Sequence, residues 1–426
     1  MNPTRSLICA AGTAVLFLAA GHAPGLPEAP AQEPTPAPAP APAVLVGLDR
    51  VQEEGARMFR GKKVALVAHA ASVTAEGRSA VDVLRGSNVE VVKLFAPEHG
   101  VAGRVAAGDR VPDSTDPDTG LPVVSLYGEK TKPSPEDLEG IDTLVFDLQD
   151  AGVRFYTYMS TMILCLEAAA EKDIEFVVLD RPNPLGGERV EGPVPDARES
   201  VPASMVNTAP GPLVHGLTAG EMARFVNSKL PRKAKRLKVV EMKGWRRSMI
   251  WAETGRAWVN PSPNLRSPDA AVAYPGTALL EATNVSEGRG TEEPFLLIGA
   301  PWLRTPALTA GVSVTGFALE AARFVPKASR AATSPKYKDV ECKGLRVRVR
   351  DPRAAKPYEL GIALLFQLRR QPEFQWRTPN ALDNLLGTRR VRDMLRRGET
   401  VTAIVNADAE AIQGFRQDRR DALLYK

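Results

Sequence analysis

A glutamate and a histidine stand side by side directly after an apolar run that is typical of a buried strand. Glu98 and His99 lie in the string PEHG at residues 97–100, and the run VEVVKLF spans residues 89–95. Parallel strands deliver the residues at their carboxyl ends to the rim of a sheet, where open α/β folds bind ligands. A carboxylate beside an imidazole is suited to proton transfer. The alternative is a surface loop held by a Glu–His salt bridge.

Polar residues also follow the other predicted strands of the first half. They are His69 after the first strand, Tyr127 after the third, Asp147, Gln149, Asp150 and Arg154 after the fourth, and Asp180, Arg181 and Asn183 after the fifth. All carboxyl ends of a parallel sheet lie on one edge, so these side chains are expected near one another. We therefore predict a site at this edge, against the alternative of separate turn and cap residues.

A second group of polar segments lies near the middle of the chain. They are WVNPSPNL at residues 258–265, YPGT at 274–277 and EATNVSEGRGT at 281–291. The last segment is glycine-rich and short of apolar side chains, so packing does not explain its residues. Its Asn, Glu and Arg side chains suit a polyhydroxylated ligand. It is not a Gly-x-Gly-x-x-Gly dinucleotide fingerprint, because position 293 is a glutamate.

Short apolar runs alternate with amphipathic stretches from residue 62 onward. The pattern predicts strands at 63–67, 89–95, 123–126, 143–146, 175–179 and 237–242, and helices at 79–85, from 134, at 155–172 and after a capping box at 218–221. This alternation predicts a mainly parallel sheet covered on both faces, in a domain over 44–266. Strands at 295–298 and 345–349 and helices at 358–369, 381–397 and 408–425 predict a smaller α+β domain over 267–426.

The amino terminus predicts export. Residues 1–23 have the short apolar core of a signal peptide, and residues 24–43 are rich in Pro and Ala, which favours an extended tether. We expect a periplasmic or extracellular protein associated with the envelope. The net charge is +5, with Lys and Arg spread along the chain apart from residues 232–238, interpreted as a solvated helix end. No nucleic-acid partner is expected.

Several chemistries find no sequence support. The chain has no phosphate-binding loop, no Gly-x-Ser-x-Gly elbow, no Ser-x-x-Lys motif and no His-Glu-x-x-His motif. Outside the signal the histidines are His69, His99 and His215, and the cysteines are Cys165 and Cys342. Their spacing predicts no metal site, and we expect no cofactor. Cys165 fits a core position, with a Cys165–Cys342 disulfide as the alternative.

Six strings occur in an order that points to a family. They are FAPEHG at 95–100, VVSLYG at 123–128, FDLQDAGVRFYTY at 146–158, DRPNPLGG at 180–187, PSPN at 261–264 and NVSEGRGT at 284–291. From about residue 45 to the carboxyl terminus the chain resembles the exo-β-N-acetylmuramidases of the NamZ type. Members often carry Thr-Asn after the first strand, where this chain has Ala68 and His69.

The resemblance implies a Rossmann-like catalytic domain, a smaller carboxyl-terminal domain, and a site between them. It implies hydrolysis of a terminal β-linked N-acetylmuramic acid from the non-reducing end of peptidoglycan fragments, with a muropeptide or disaccharide as partner. The family's candidate catalytic glutamate falls on Glu98, interpreted as the acid that protonates the leaving oxygen. The oligomeric state is not predicted.

The candidate catalytic residues are Glu98, His99, Asp147 and Glu287. The candidate substrate-binding residues are His69, Asp150, Arg154, Tyr156, Tyr158, Arg181, Asn183, Asn260, Asn264, Tyr274, Asn284 and Arg289. The second catalytic group is left open among Glu287, Asp147, Asp150 and the N-acetyl group of the substrate. Arg154, Arg181 and Arg289 are alternatives for holding the lactyl carboxylate of muramic acid, and Tyr156, Tyr158 and Tyr274 for contacting the sugar.

Two other functions are compatible with the sequence. One is a non-catalytic binder of cell-wall glycans held by the Pro/Ala tether. The other is a hydrolase of an ester or amide bond, which needs a nucleophile motif that the chain does not show.

Overall fold

The computed structural model describes residues 43–196, 199 and 201–426. The predicted signal peptide lies outside the described residues, as does the predicted tether except for its last residue. Ten strands form two sheets in the part that is described. They are β1 (Lys63–Ala68), β2 (Glu90–Ala96), β3 (Ser114–Thr115), β4 (Pro122–Ser125), β5 (Thr143–Asp147), β6 (Glu175–Leu179), β7 (Leu237–Val240), β8 (Leu297–Ala300), β9 (Phe317–Phe324) and β10 (Cys342–Val349).

Helices alternate with the strands in the first half and dominate the second. They are α1 (Gly47–Glu53), α2 (Ala80–Gly86), α3 (Thr157–Lys172), α4 (Ala219–Lys229), α5 (Pro268–Thr277), α6 (Thr305–Gly311), α7 (Pro357–Leu368), α8 (Ala381–Leu386), α9 (Arg390–Arg397), α10 (Val401–Asn406) and α11 (Ala409–Asp418). Short 3-10 turns lie at Arg57–Phe59, Trp251–Glu253, Ala278–Ala282 and Arg420–Ala422. None of the helices in the described residues is both long and apolar enough to cross a bilayer.

The large sheet has the strand order β3-β4-β2-β1-β5-β6-β7, parallel except for the edge strand β3. Without β3, the six parallel strands follow the order 3-2-1-4-5-6 in chain sequence, which is the doubly wound Rossmann order. Every residue of β5 and β6 is buried. Such unbroken burial is expected of parallel strands with layers on both faces, and it explains their continuous apolar runs. The α/β prediction is confirmed.

The second sheet is antiparallel, in the order β8-β10-β9. It belongs to a smaller second domain, as the sequence predicts. One apolar core continues from the large sheet through α3 and α4 to α5 and α7, so the two halves share buried surface. A second core, containing Leu48 and Leu84, covers the other face of the large sheet. The shared core therefore holds the second half against the first.

Local sequence signals explain most element boundaries. The capping box at α4 is present, with the Thr218 hydroxyl accepting from Glu221 N and Glu221 accepting from Thr218 N. The predicted helix over 381–397 is two helices, because Gly387 ends α8 with φ +66°. The predicted helix over 408–425 ends at Asp418. The short helix predicted from residue 134 is a series of turns, and β9 has no clear sequence signal.

The last residues of the chain return to the large sheet. The Tyr425 hydroxyl donates to Asp180 Oδ2 at 2.6 Å, Leu424 N donates to Glu221 Oε1 at 3.0 Å, and Arg247 N donates to the carbonyl of Lys426 at 2.9 Å. Cys165 and Cys342 are free and buried, so the disulfide alternative is not formed.

Candidate active site

A cavity of about 890 Å³ lies where the large sheet meets the second half. The sheet contributes Glu98 after β2, Tyr127 after β4 and Thr157 at the start of α3. The opposite wall includes Glu287 and Arg289, from the glycine-rich segment. Glu98 and the glycine-rich segment therefore line the same cavity. Its volume falls within the range of small-molecule sites.

Glu98 is held in one orientation by two donors. Gly108 N donates to Oε1 at 2.9 Å, and the Thr157 hydroxyl donates to Oε2 at 2.7 Å. Thr157 is the first residue of α3, so the Glu98 carboxyl group lies at the amino terminus of this helix. Glu98 is 8% exposed and lines the cavity. This is a preorganised carboxyl group with limited access to water.

His99 adopts the left-handed conformation, with φ +73°, which is uncommon for a residue with a side chain. Its Nδ1 lies 2.8 Å from the carbonyl oxygen of Val105. A carbonyl only accepts, so Nδ1 donates and Nε2 is left as the acceptor. Burial lowers the pKa of His99, and Arg289 adds to this, against the opposing effect of Glu98. His99 is thus a neutral hydrogen-bonding group of the cavity wall.

Aromatic rings form one side of the cavity. Tyr274 packs edge-on against Phe155 at 5.2 Å and Phe295 at 4.6 Å between ring centroids, and lies 6.1 Å from Tyr156. All four residues line the cavity. The Tyr156 hydroxyl donates to the carbonyl of Pro261 at 2.7 Å, which fixes its ring. Such a wall suits the apolar face of a sugar ring.

A four-residue charge network lies beside the aromatic wall, with the Arg289 guanidinium 5.0 Å from the centre of the Phe295 ring. Arg289 pairs with Glu281 at 2.7 Å and with Glu287 at 3.2 Å, and Lys336 pairs with Glu287 at 3.0 Å. Burial alone would raise the pKa of Glu287, but Lys336 and Arg289 hold it below its ordinary value. Burial raises the pKa of Glu281 despite Arg289. The two carboxyl groups therefore differ in acidity within one wall.

The structure divides the predicted site residues into two groups. Those that line the cavity are Glu98, His99, Tyr156, Tyr274, Asn284, Glu287 and Arg289. Those that do not are His69, Asp147, Asp150, Arg154, Tyr158, Arg181, Asn183, Asn260 and Asn264. Most of the second group are buried and bonded within the protein.

Asp147 and Arg181 pair with each other instead of facing the cavity. Arg181 binds Asp147 through Nε and through a second nitrogen at 2.9 Å, and it also donates to the carbonyl of Val73 at 3.2 Å. Asp147 is fully buried, and Arg181 is 4% exposed. Asp147 is the last residue of β5 and pairs with Ala68 at the end of β1, and Arg181 follows β6, so the pair lies near the point where the strand order reverses. The crevice that often binds ligands in this fold is thus occupied by an ion pair.

Asp150 and Arg154 are likewise structural. Asp150 accepts from Gly152 N at 2.6 Å, and its burial raises its pKa to about 7. Arg154 is fully buried and donates to the carbonyl oxygens of Leu386 at 2.5 Å and Gly211 at 3.3 Å. Burial lowers the pKa of Arg154 to about 9. Arg154 joins the turn before α3 to the end of α8 and does not meet substrate in this arrangement.

The remaining predicted residues act as braces or lie at the surface. Asn183 donates to the carbonyl of Leu217 at 3.0 Å, and Asn264 donates to that of Ala331 at 2.7 Å. The Tyr158 hydroxyl lies between two carbonyl oxygens, those of Pro261 at 2.8 Å and Glu98 at 3.3 Å, and so braces the backbone at Glu98. Asn260 is exposed outside the cavity.

His69 lies behind the site, with its ring 5.6 Å from that of Tyr158. Ala71 N donates to its Nδ1 at 3.1 Å, and its Nε2 is buried without a hydrogen-bond partner. Burial, with a contribution from His99, lowers the pKa of His69 from 6.5 to about 3. Below pH 6.5 the unfolded chain takes up a proton that the folded chain does not, so stability present above pH 6.5 is lost as the pH falls towards 3.

We expect His69→Asn to flatten this acid dependence. The asparagine Oδ1 can replace Nδ1 as the acceptor for Ala71 N, while the titrating ring is gone. Between pH 6.5 and 5 the free energy of unfolding of the wild type should fall by about 2 kcal/mol more than that of the variant. Urea unfolding at a series of pH values measures the slope, which separates this effect from any constant loss of packing. Equal slopes would contradict a neutral buried His69.

Many cavity residues are absent from the predicted set, and six of them carry polar or aromatic side chains that bear on the chemistry. They are Tyr127, Thr157, Glu281, Lys336, Trp376 and Arg377. Tyr127 does follow a predicted strand, and burial and the Glu98 carboxylate raise its pKa above the ordinary value. Glu281 begins the glycine-rich segment. Lys336, Trp376 and Arg377 come from connecting segments without a periodic or motif signal, and only the fold brings them to the cavity.

Two family models match the chain over most of its length. The model described as exo-beta-N-acetylmuramidase NamZ, N-terminal, matches residues 64–269, and its C-terminal counterpart matches residues 272–425. The peptidoglycan beta-N-acetylmuramidase NamZ of Bacillus subtilis (strain 168) is 38% identical over 388 residues, which cover 90% of this chain and 91% of that protein.

Solved structures also resemble the chain. Two crystal structures of DUF1343 family proteins from Bacteroides fragilis each cover 90% of this chain, and 99% of their own chains is matched. The first has a TM-score of 0.79 and 31% identity, and the second has a TM-score of 0.73 and 29% identity.

Proposed function

The chain belongs to the NamZ family of exo-β-N-acetylmuramidases, and we propose that it is itself a glycoside hydrolase of this specificity. It removes a terminal β-linked N-acetylmuramic acid from the non-reducing end of peptidoglycan fragments. The observation that carries this assignment is Glu98, oriented by Gly108 and Thr157 in a cavity that also has an aromatic wall and the carboxyl groups of Glu281 and Glu287.

Glu98 is the acid that protonates the leaving oxygen. Glycoside hydrolysis needs a proton donor at this oxygen and a stabilising group on the other face of the sugar. The Thr157 and Gly108 donors fix the carboxyl group before the substrate arrives, so little reorganisation is needed in the transition state. The aromatic wall containing Tyr156 and Tyr274 supports the ring during this step.

Glu281 is the more accessible candidate for the second group. The Glu281 side chain is 28% exposed, against 5% for Glu287. Glu287 is bound by both Lys336 and Arg289, whereas Glu281 is bound by Arg289 alone among the ion pairs of this wall. Asp147 and Asp150, which the sequence also favours, do not line the cavity. Glu281 therefore has the freer carboxyl group, and Glu287 anchors the wall.

Arg377 is the proposed partner of the lactyl carboxylate. Arg154 and Arg181 are bound elsewhere, and Arg289 already contacts two carboxylates. Arg377 lines the cavity and is exposed, and no described carboxylate pairs with it. An unpaired guanidinium at the mouth matches the acid that distinguishes muramic acid from glucosamine.

A comparison of two chromogenic substrates tests the assignment. We expect the wild type to release N-acetylmuramic acid from an aryl β-muramide at least about a hundredfold faster than it cleaves the matching glucosaminide, since one charge-assisted pair or more is lost with the lactyl group. Initial rates by absorbance measure the ratio. Binding of glycan without turnover would favour the non-catalytic alternative, and equal rates would contradict the muramyl specificity.

We also propose that the enzyme works outside the cytoplasm, at the cell envelope. This rests on the apolar segment within residues 1–23 and the Pro/Ala-rich segment over 24–43. A peptidoglycan substrate is found in the same compartment, so the two proposals support each other.

A further inference from the structure

A second cavity of about 590 Å³ lies beside the candidate active site. Residues 375–377 line both cavities and form a ridge between them. The other lining residues of the second cavity are Arg369, Phe374, Thr378, Pro379, Leu395 and Arg396. A ligand in the first cavity can therefore extend over the ridge into the second.

The ridge is fixed to the wall of the first cavity. Asn284 N donates to the carbonyl of Gln375 at 2.9 Å, and Asn284 Oδ1 accepts from Gln375 N at 2.9 Å. Arg377 N donates to the carbonyl of Ala282 at 2.8 Å, one residue after Glu281. The amide of Asn284 is thus used in positioning the ridge. The spacing between the two cavities is set by hydrogen-bonded backbone.

The second cavity is strongly cationic. Arg369, Arg377 and Arg396 line it, and no acidic residue does. No described carboxylate pairs with any of the three, whereas nearby Arg392 binds Asp383 and Arg397 binds Glu399. Unpaired arginines in one concave surface leave an unbalanced positive charge, which attracts an anionic ligand.

Among the described residues, Arg369 lacks a hydrogen-bond partner at Nε as well as a pairing carboxylate. Its guanidinium lies over the Phe366 ring at 4.7 Å, which holds it in place. Its Nε is buried and has no hydrogen-bond acceptor in the structure. Buried donors are nearly always bonded, so Arg369 lacks part of the set of partners that a buried guanidinium usually has.

We propose that the second cavity is an acceptor-side subsite for a carboxylate of the next muramyl unit in a longer glycan fragment. This rests on the proposed function, since it assumes a terminal muramyl residue in the first cavity. Muramyl units alternate with N-acetylglucosamine in peptidoglycan, so an acidic group recurs beyond the bond that is cleaved. Trp376, packed edge-on against Phe374 at 5.1 Å, provides a platform on the ridge for the sugar between them.

The subsite predicts a chain-length effect that depends on two arginines. The experiment compares kcat/KM for a peptide-free tetrasaccharide with two muramyl units with kcat/KM for an aryl muramide. The readout is the first value divided by the second. Arg369→Ala and Arg396→Ala should each lower the ratio of tetrasaccharide to aryl muramide about tenfold, because a charge-assisted hydrogen bond to the longer substrate is lost. Arg377→Ala, at the ridge, should lower both values.

Controls and a third substrate make the result decisive. Arg370→Ala is the matched control, because Arg370 is exposed beside Arg369 and lines neither cavity. Arg396 is exposed, so Arg396→Ala should fold even where Arg369→Ala does not. A tetrasaccharide with a stem peptide on the second muramyl unit identifies the source of the carboxylate. A drop seen with the peptide-free substrate supports the lactyl group, and a drop confined to the peptide-bearing one supports the stem.

Unchanged ratios in both arginine variants with both long substrates would overturn the subsite while leaving the proposed function intact. If the wild type does not cleave the aryl muramide at all, the proposed muramidase function is wrong. The proposed subsite, which depends on that function, is then wrong as well.

Discussion

Glu98→Gln is expected to lower kcat for release of N-acetylmuramic acid by about 10²–10⁴-fold, the usual contribution of a positioned general acid. The substitution keeps the shape of the side chain but removes its transferable proton. Its carbonyl oxygen can still accept from Thr157 or Gly108, although the amide nitrogen faces the other donor, at a cost of about 1–3 kcal/mol in stability. Stopped assays with a natural disaccharide measure the loss, because its sugar leaving group needs the proton, whereas an aryl leaving group departs with little protonation.

Glu139→Gln is the matched control, because Glu139 is exposed on the same domain and outside the cavity. It should retain wild-type kcat. The Glu98 variant should still bind substrate, which calorimetry checks on folded protein. Wild-type turnover in Glu98→Gln would show that Glu98 is not the proton donor, and Glu281 would then be the candidate for that role.

Arg181→Met is expected to lower the free energy of unfolding by about 3–5 kcal/mol, because it leaves the fully buried Asp147 carboxylate without its partner. The sequence alone also allows Arg181 to bind the lactyl carboxylate. If the buried pair is structural, the folded variant keeps its KM for the aryl muramide at low temperature. Urea unfolding and kinetics on the same preparation separate the two roles.

Two further variants sharpen this test. Arg110→Met removes a partner from the exposed Arg110–Glu129 pair, and should cost no more than about 1 kcal/mol. Combining Arg181→Met with Asp147→Leu should recover much of the lost stability, since an apolar pair of similar volume replaces two buried charges. A stable Arg181→Met variant with a strongly raised KM would instead restore Arg181 to the binding site.

The sequence identifies the sheet because its strands contain short apolar runs, and β5 and β6 show the reason, since each of their residues is buried between two layers. It also places Glu98 correctly at a strand end on the cavity. The sequence cannot tell which of Glu98 and Asp147 faces the cavity, because both lie at the carboxyl ends of parallel strands. Side-chain direction decides between them, since Glu98 lies at the cavity and Asp147 meets Arg181.

The cavity residues contributed by the second half of the chain are harder to predict from the sequence. The segment over 281–291 is recognisable because packing does not explain its composition, and Glu287 and Arg289 do line the cavity. Lys336 and Trp376 reach the same cavity from loops distant in sequence, through contacts such as the pairing of Thr283 with Trp376. No local pattern encodes such long-range pairing, so these residues emerge only from the fold.

The return of the carboxyl terminus to the large sheet bears on how the protein is made. Asp180, Glu221 and Arg247 complete their hydrogen bonds with Tyr425, Leu424 and Lys426. Residues 424–426 are synthesised long after the residues that they contact, so the first domain completes these hydrogen bonds only once the second half of the chain has been made. An affinity tag fused to Lys426 is therefore expected to disturb these hydrogen bonds. A tag placed in an internal loop or at the amino terminus would leave them intact.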